Sequence, residues 1–229
     1  MQRIVLRYRR EASSNIQNHG ALRMQFQQAA ETAGLPTSDG RRVIVLGPPL
    51  PAGASSEAEF AVIELSRPYD PAEVHRLLNC HLPDGLQVEQ AWIAPPGSLD
   101  ENPATLDEAV YEISWQCEAP AFDILKQAIH RFQAASEISF TRAREKKTQN
   151  LNARVLVQDI TLCDGMESLA CLRMTVSVGP LGSLRPAEVL QVLGFPPAPG
   201  DIHVHRVALQ RSIWRHPSPA RRAHRWRKA

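Results

Sequence analysis

The sequence predicts an α+β protein built from two tandem ferredoxin-like units, each βαββαβ, with extra β structure in the second. Three observations carry this prediction. Strand and helix patterns follow one another in that order twice along the 229 residues. A stretch reading PAEVHRLL from Pro71 returns as PAEVLQVL from Pro186, 115 residues downstream. Between the copies, PPGSLDENP at 95–103 has the composition of a linker. We therefore expect units over 1–97 and 98–214 and a flexible basic tail at 215–229.

The first unit opens with a strand over 3–9, where Ile4, Leu6 and Tyr8 alternate with Arg3, Arg7 and Arg9. A helix over 19–33 follows from the helical spacing of Leu22, Phe26, Ala29, Ala30 and Ala33, with Gly34 as its stop. Residues 43–46 are a short apolar strand, 47–56 a Pro-rich connection, and 60–65 the third strand. Asp70 then caps a helix whose first residue is Pro71, with Glu73 placed for a capping box. Pro83-Asp84-Gly85 turns the chain into a fourth strand at 86–93.

In the second unit, 110–117 alternates as a strand, and Phe122, Leu125, Ile129 and Phe132 mark a helix over 121–135. Strands at 138–144 and 153–162 flank a basic turn. Leu172, Met174, Val176 and Val178 then alternate along a strand that Gly179-Pro180 ends. Pro186 opens the next helix, Glu188 lies in its first turn and Gly194 closes it. A last strand covers 201–214, and its apolar parity switches from Ile202 and Val204 to Val207 and Leu209, which predicts a bulge. Trp92, Trp115 and Trp214 lie within strand patterns and read as packing residues.

Composition excludes several classes. No apolar run approaches the ~18 residues that span a bilayer, and the charged start MQRIVLRYRR is no signal peptide, so the default is a cytoplasmic protein. Cys80, Cys117, Cys163 and Cys171 form no CxxC pair, which predicts reduced thiols, no metal site and no cofactor. The net charge of +2 conceals an asymmetry: from Ile202 onward there are eight Lys/Arg and no Asp/Glu. The body is mildly acidic and the tail basic.

Three features bear on chemistry. His19 stands at a helix start, where it is either a capping or surface side chain or a general acid/base. Arg142, Arg144, Lys146 and Lys147, with Arg154, make a compact basic stretch at a hairpin. Together with Arg221, Arg222, Arg225 and Trp226 of the tail they form a candidate surface for RNA or a partner protein, the arginines meeting phosphates and the indole stacking on a base. Gly179-x-x-Gly182 precedes a helix but lacks the other residues of a phosphate loop, and reads as a strand-to-helix turn.

The pieces AGLP (33–36), PPLPAGASSEAEF (48–60), RAREKK (142–147) and VGPLGSLRPAEVLQVLG (178–194) occur in an order that resembles the radical SAM-linked proteins. These are a bacterial domain family of unknown function associated with cobalamin-binding radical SAM proteins, and the resemblance spans most of 3–209. It departs where the family carries an aspartate, here Ala21, and where its loop is longer and histidine-containing, here 38–43. Of the Asp-Leu-Arg pattern after RAREKK only Arg154 is kept.

The resemblance implies a non-catalytic accessory protein binding a radical SAM enzyme or its substrate, with RNA one such substrate. CxxxCxxC is absent, so this chain does not hold the cluster by its usual ligands. One alternative is a metal-independent RNA-processing enzyme using His19, by analogy with tandem ferredoxin-like CRISPR endoribonucleases. Another is a stand-alone RNA-binding module.

Overall fold

Alternating apolar residues and well-placed caps produce ten strands and five helices in the computed structural model, which describes residues 1–14, 16–37, 44–95, 102–116, 119–144, 147–163, 169–179, 182–195 and 202–212. In chain order these are β1 (Gln2–Arg10), α1 (His19–Thr32), β2 (Ile44–Leu46), β3 (Ser55–Leu65), α2 (Pro71–Asn79) and β4 (Leu86–Ile93). A 3-10 turn at Pro103–Thr105 leads into β5 (Glu108–Gln116), α3 (Ala119–Ala134), β6 (Ser139–Arg144), β7 (Lys147–Asn152) and α4 (Ala153–Leu156). The chain then runs through β8 (Val157–Leu162), β9 (Leu169–Ser177), α5 (Pro186–Val192) and β10 (Ile202–Gln210).

The result is a mixed α+β fold around a large, mostly antiparallel sheet. Eight strands are joined in the order β4-β1-β3-β10-β5-β9-β8, with β2 also hydrogen-bonded to β3. The sheet crosses its middle where β3 and β10 run parallel, Ser55 opposite His205 and Ser56 opposite Arg206. Further along β3, Ala61, Val62 and Ile63 pair with β2 instead. The sheet therefore forks beyond Ser56, and the fork positions the cleft described below. To one side of the seam the order is β4-β1-β3-β2, and to the other β10-β5-β9-β8. The helices carrying the repeated PAEV sequence, α2 and α5, each follow the third strand of their side.

Two apolar clusters hold the layers together. Leu22 and Phe26 of α1 and Val74 and Leu78 of α2 pack on Ile4, Leu6, Tyr8, Ala61, Ile63 and Leu65. Leu125, Ile129 and Phe132 of α3 and Val189 and Leu190 of α5 pack on Tyr111, Ile113, Leu172, Met174 and Val176. Each such side chain contributes about 1.5–3 kcal/mol on burial, before the cost of ordering it.

Four local expectations are revised. The third strand begins at Ser55, not Phe60, because Ser55 and Ser56 find backbone partners in β10 across the seam. Residues 153–162 are not one strand: Asn152 accepts from the Arg154 amide at 3.1 Å, and the chain makes the single turn α4 before β8. The hairpin β6–β7 is a separate two-stranded sheet. Glu73 pairs with Arg76 at 2.6 Å, while Asp70 alone caps α2 by accepting from Ala72 N at 3.0 Å. The expected bulge is present, with a register shift between Arg206 and Ala208. No helix among the described residues is long and apolar enough to cross a membrane.

Candidate binding cleft at the seam

Where β2 displaces β10 from the side of β3, the two parts of the sheet separate and leave a cleft of about 700 Å³. Its wall includes Arg3 of β1, His19 and Arg23 of α1, Pro48 and Pro49 after β2, Glu64 of β3, and Asn102, Val178 and Gly179 from the other side of the seam. These residues are far apart in sequence, and only the strand order brings them together.

α1 supplies the two side chains with the most unspent chemistry. Asn18, not His19, caps the helix: its side chain accepts from the Ala21 amide at 2.9 Å. His19 is thus freed to be the first helical residue, half-buried at the cleft. Arg23, one turn on, lies beside it and is exposed. Neither side chain makes an ion pair or hydrogen bond among the described residues. Arg3 is held differently, with its Nε 3.1 Å from Glu64 Oε2.

Behind the wall stands Arg206, fully buried on the helix-facing side of β10. Its guanidinium donates to both carboxylate oxygens of Glu59 at 2.9 and 3.1 Å, and to the Tyr111 hydroxyl at 2.6 and 3.0 Å. It also donates to the carbonyls of Pro48 at 3.1 Å and Pro49 at 2.7 Å, the segment lining the cleft. Burial alone would disfavour the charge on Arg206, but Glu59, Tyr111 and Tyr8 hold its pKa above the usual value. One side chain therefore joins β3, β5 and β10 and fixes the cleft wall.

The electrostatics of the cleft follow. Burial, and then the positive charges of Arg23 and Arg206, hold the His19 imidazole below the ordinary histidine value of 6.5. At neutral pH it is a neutral donor and acceptor flanked by cations. The folded protein sheds this proton more readily than the unfolded chain. Stability therefore falls as pH drops from 6.5 through the lowered folded value, and is insensitive to this group above that window. We expect the His19 ring resonances to titrate below 6.5 by NMR, and His19→Ala to remove this part of the pH dependence of urea unfolding. A midpoint at or above 6.5 would contradict the assignment.

The basic hairpin is placed elsewhere. Arg142 donates to Glu188 at 2.6 and 2.5 Å and to the Ser183 carbonyl at 2.6 Å, so its guanidinium ties β6 to the start of α5. Arg154 donates to the Val157 carbonyl at 3.2 Å and lies over the Phe132 ring at 5.8 Å. Arg144 and Lys147 are opposite one another at the open end of the β6–β7 ladder. Lys146, Arg221, Arg222, Arg225 and Trp226 lie outside the described residues, as do the loop at 38–43 and most of the linker. The structure thus brings His19 to a cleft and leaves Arg142 and Arg154 in packing contacts.

Sequence reasoning missed Arg3, Arg23, Glu59 and Arg206 as site residues. One signal was available for Arg206. The parity that carries Ile202 and Val204 inward continues to residue 206 before the bulge, which places an arginine where an apolar residue belongs.

Among the described residues, no group of three or more His, Cys, Asp or Glu side chains is arranged to hold a metal ion. A family model described as an uncharacterized protein conserved in bacteria (DUF2344) matches residues 3–186. The chain belongs to this family. The match confirms a bacterial family of unknown function, and its description names no radical SAM partner. No curated protein matches the chain. Among solved structures, similarity is found to a Cbf5-Nop10-Gar1 complex, with a TM-score of 0.47 and 12% identity over 90% of this chain and 48% of that one. An archaeal box H/ACA sRNP Nop10-Cbf5 complex gives 0.43 and 10% over 89% and 46%. An unknown protein from Galdieria sulphuraria gives 0.27 and 13% over 93% and 99%. The chain spans about half the length of the first two.

Proposed function

We propose that this protein binds RNA without transforming it, seating a phosphate-bearing nucleotide in the seam cleft. The observation that carries the reading is the pairing of His19 and Arg23. They lie one helical turn apart, both face a cleft of about 700 Å³, and neither has a hydrogen-bond or ion-pair partner among the described residues. Ligand sites typically occupy about 300–1,000 Å³, so one nucleotide fits. Arg23 would meet a phosphate, and neutral His19 would exchange hydrogen bonds with a base or ribose.

The fold that accompanies this reading is two ferredoxin-like units at 1–97 and 98–214, with a basic tail at 215–229. Support comes from the matching strand order on the two sides of the seam and from the placement of α2 and α5. The seam is then the interface between units. Arg144, Lys146, Lys147 and the tail residues Arg221, Arg222, Arg225 and Trp226 would extend the contact along the strand, each phosphate contact adding salt-dependent affinity. The radical SAM enzyme implied by the family resemblance would be the catalyst that acts on the held RNA in the cytoplasm.

The test is an electrophoretic mobility shift with tRNA and rRNA fragments across a salt series. Wild type is expected to bind at low salt, and Arg23→Glu to weaken binding about tenfold and reduce the salt slope by about one. No shift at low salt would remove the reading. One observation favours a second reading, cleavage of the bound RNA: the lowered pKa leaves His19 in its base form at neutral pH. Incubating labelled RNA with wild type and His19→Ala in EDTA decides it, and equal product or none excludes His19 as a catalyst.

A further inference from the structure

The face of the sheet turned away from the helices carries a chemically active pair that the cleft does not use. At the end of the β8–β9 ladder, Leu162 is opposite Leu172, and the Cys163 amide donates to the Cys171 carbonyl at 2.9 Å. Cys163 and Cys171 are therefore direct cross-strand neighbours with side chains on one face. Directly opposed residues of an antiparallel pair have Cα atoms about 4.5–5.5 Å apart, within the ~4.4–6.8 Å that a disulfide bridges. Both are free thiols, both are half-buried, and Cys163 is near enough to raise the pKa of Cys171.

The same row continues across the sheet. Ser114 of β5 is opposite Cys171, and His203 of β10 is opposite Ser114. Cys171, Ser114 and His203 line a recess of about 200 Å³. The pair is thus neither sealed in a core nor isolated on the surface.

We propose that Cys163 and Cys171 form a redox-active dithiol that closes to a cross-strand disulfide by exchange with a low-molecular-weight disulfide. Burial, and then the neighbouring Cys163, push the Cys171 thiol up to about 12, which makes Cys171 the poorer first nucleophile of the two. The Cys163 thiolate attacks one sulfur of the small disulfide, forming a mixed disulfide and expelling one small thiolate. The Cys171 thiol gives up its proton to that expelled thiolate. Its own thiolate then attacks the Cys163 sulfur and expels the second small thiolate. The two protein thiols are oxidised, the small disulfide is reduced to two thiols, and both protons end on those products. The bond would fasten β8, at the edge of the sheet, to β9.

The experiment treats the full-length protein with oxidised and reduced glutathione in varying ratio, then blocks remaining thiols with N-ethylmaleimide and maps the peptides. The expected result is a linked Cys163–Cys171 peptide that dithiothreitol resolves. Cys171→Ser should stop at a glutathione adduct on Cys163. Cys163→Ser should form its adduct on Cys171 about tenfold more slowly than that, since desolvation keeps this thiol protonated. Glutathione adducts on both cysteines without a link, linkage of either to Cys80 or Cys117 instead, or full alkylation of both at every ratio would each overturn the proposal.

Discussion

Glu59→Ala should lower the unfolding free energy by about 3–5 kcal/mol, the range for removing one partner of a buried ion pair. The Arg206 and Glu59 side chains are 0% and 4% exposed. Without the carboxylate, a fully buried guanidinium keeps only a phenol and two carbonyls as partners. Glu59→Gln retains hydrogen-bonding oxygen and should cost less than Glu59→Ala. The apolar double replacement Glu59→Leu with Arg206→Met removes both charges and should recover part of the loss. It should not recover all of it, because the carbonyl of buried Pro48 is left without its donor, a deficit of about 1–3 kcal/mol. Pro49 is exposed, and its carbonyl can turn to water.

The measurement is urea or thermal unfolding of the four proteins. At this chain length each kcal/mol shifts the midpoint by roughly 2–4 °C, so the single alanine variant is readily resolved from wild type. Loss under 1 kcal/mol for Glu59→Ala would show that the pair is dispensable. The same variants probe the cleft, because Arg206 holds the Pro48-Pro49 wall. RNA binding should weaken in the double variant even where it folds.

The elements legible in the sequence are those whose signals are local. Asp70 with Pro71, and Pro186 with Gly194, announce α2 and α5 because caps act within one turn of the helix they bound. Strands β1, β4 and β9 show in their alternation because one face is buried and the other is not. The start of β3 was hidden, since Ser55 and Ser56 carry no apolar pattern and become strand only when β10 arrives, 150 residues later, to pair with them.

The cleft was less legible than the fold for a related reason. His19 could be placed at a helix start, but its neighbours Arg3, Arg23, Pro48, Asn102 and Val178 converge through the strand order and not through spacing. The basic run beginning at Arg142 shows the opposite failure. Adjacent charges suggest one surface, yet a carboxylate 46 residues away, Glu188, takes up the Arg142 guanidinium. Charge runs are visible in sequence, while the partners that neutralise them are not.

Gly179→Ala should destabilise the fold by about 1–3 kcal/mol, the cost typical of overpacking, and it separates two readings of the Gly179-x-x-Gly182 turn. A Cβ at residue 179 would lie 2.6 Å from Asp107 Cβ and 3.2 Å from its Cα, atoms that cannot swing aside. Asp107 is a junction. Its carbonyl accepts from Val178 N at 2.8 Å, its amide donates to the Gln210 carbonyl at 3.1 Å, and its carboxylate accepts from Ser212 N at 2.7 Å. Displacing it strains the ends of β5, β9 and β10 together. A phosphate loop would behave otherwise, losing ligand while the scaffold kept its stability. The chemistry at the start of α5 also opposes a phosphate there, since the Glu188 carboxylate already accepts from Arg185 N at 2.7 Å and pairs with Arg142. We therefore expect the Gly179→Ala midpoint in urea to fall, while RNA affinity of the folded fraction drops far less than with Arg23→Glu. An unchanged midpoint with lost affinity would move the binding site from the His19 side of the cleft to this turn.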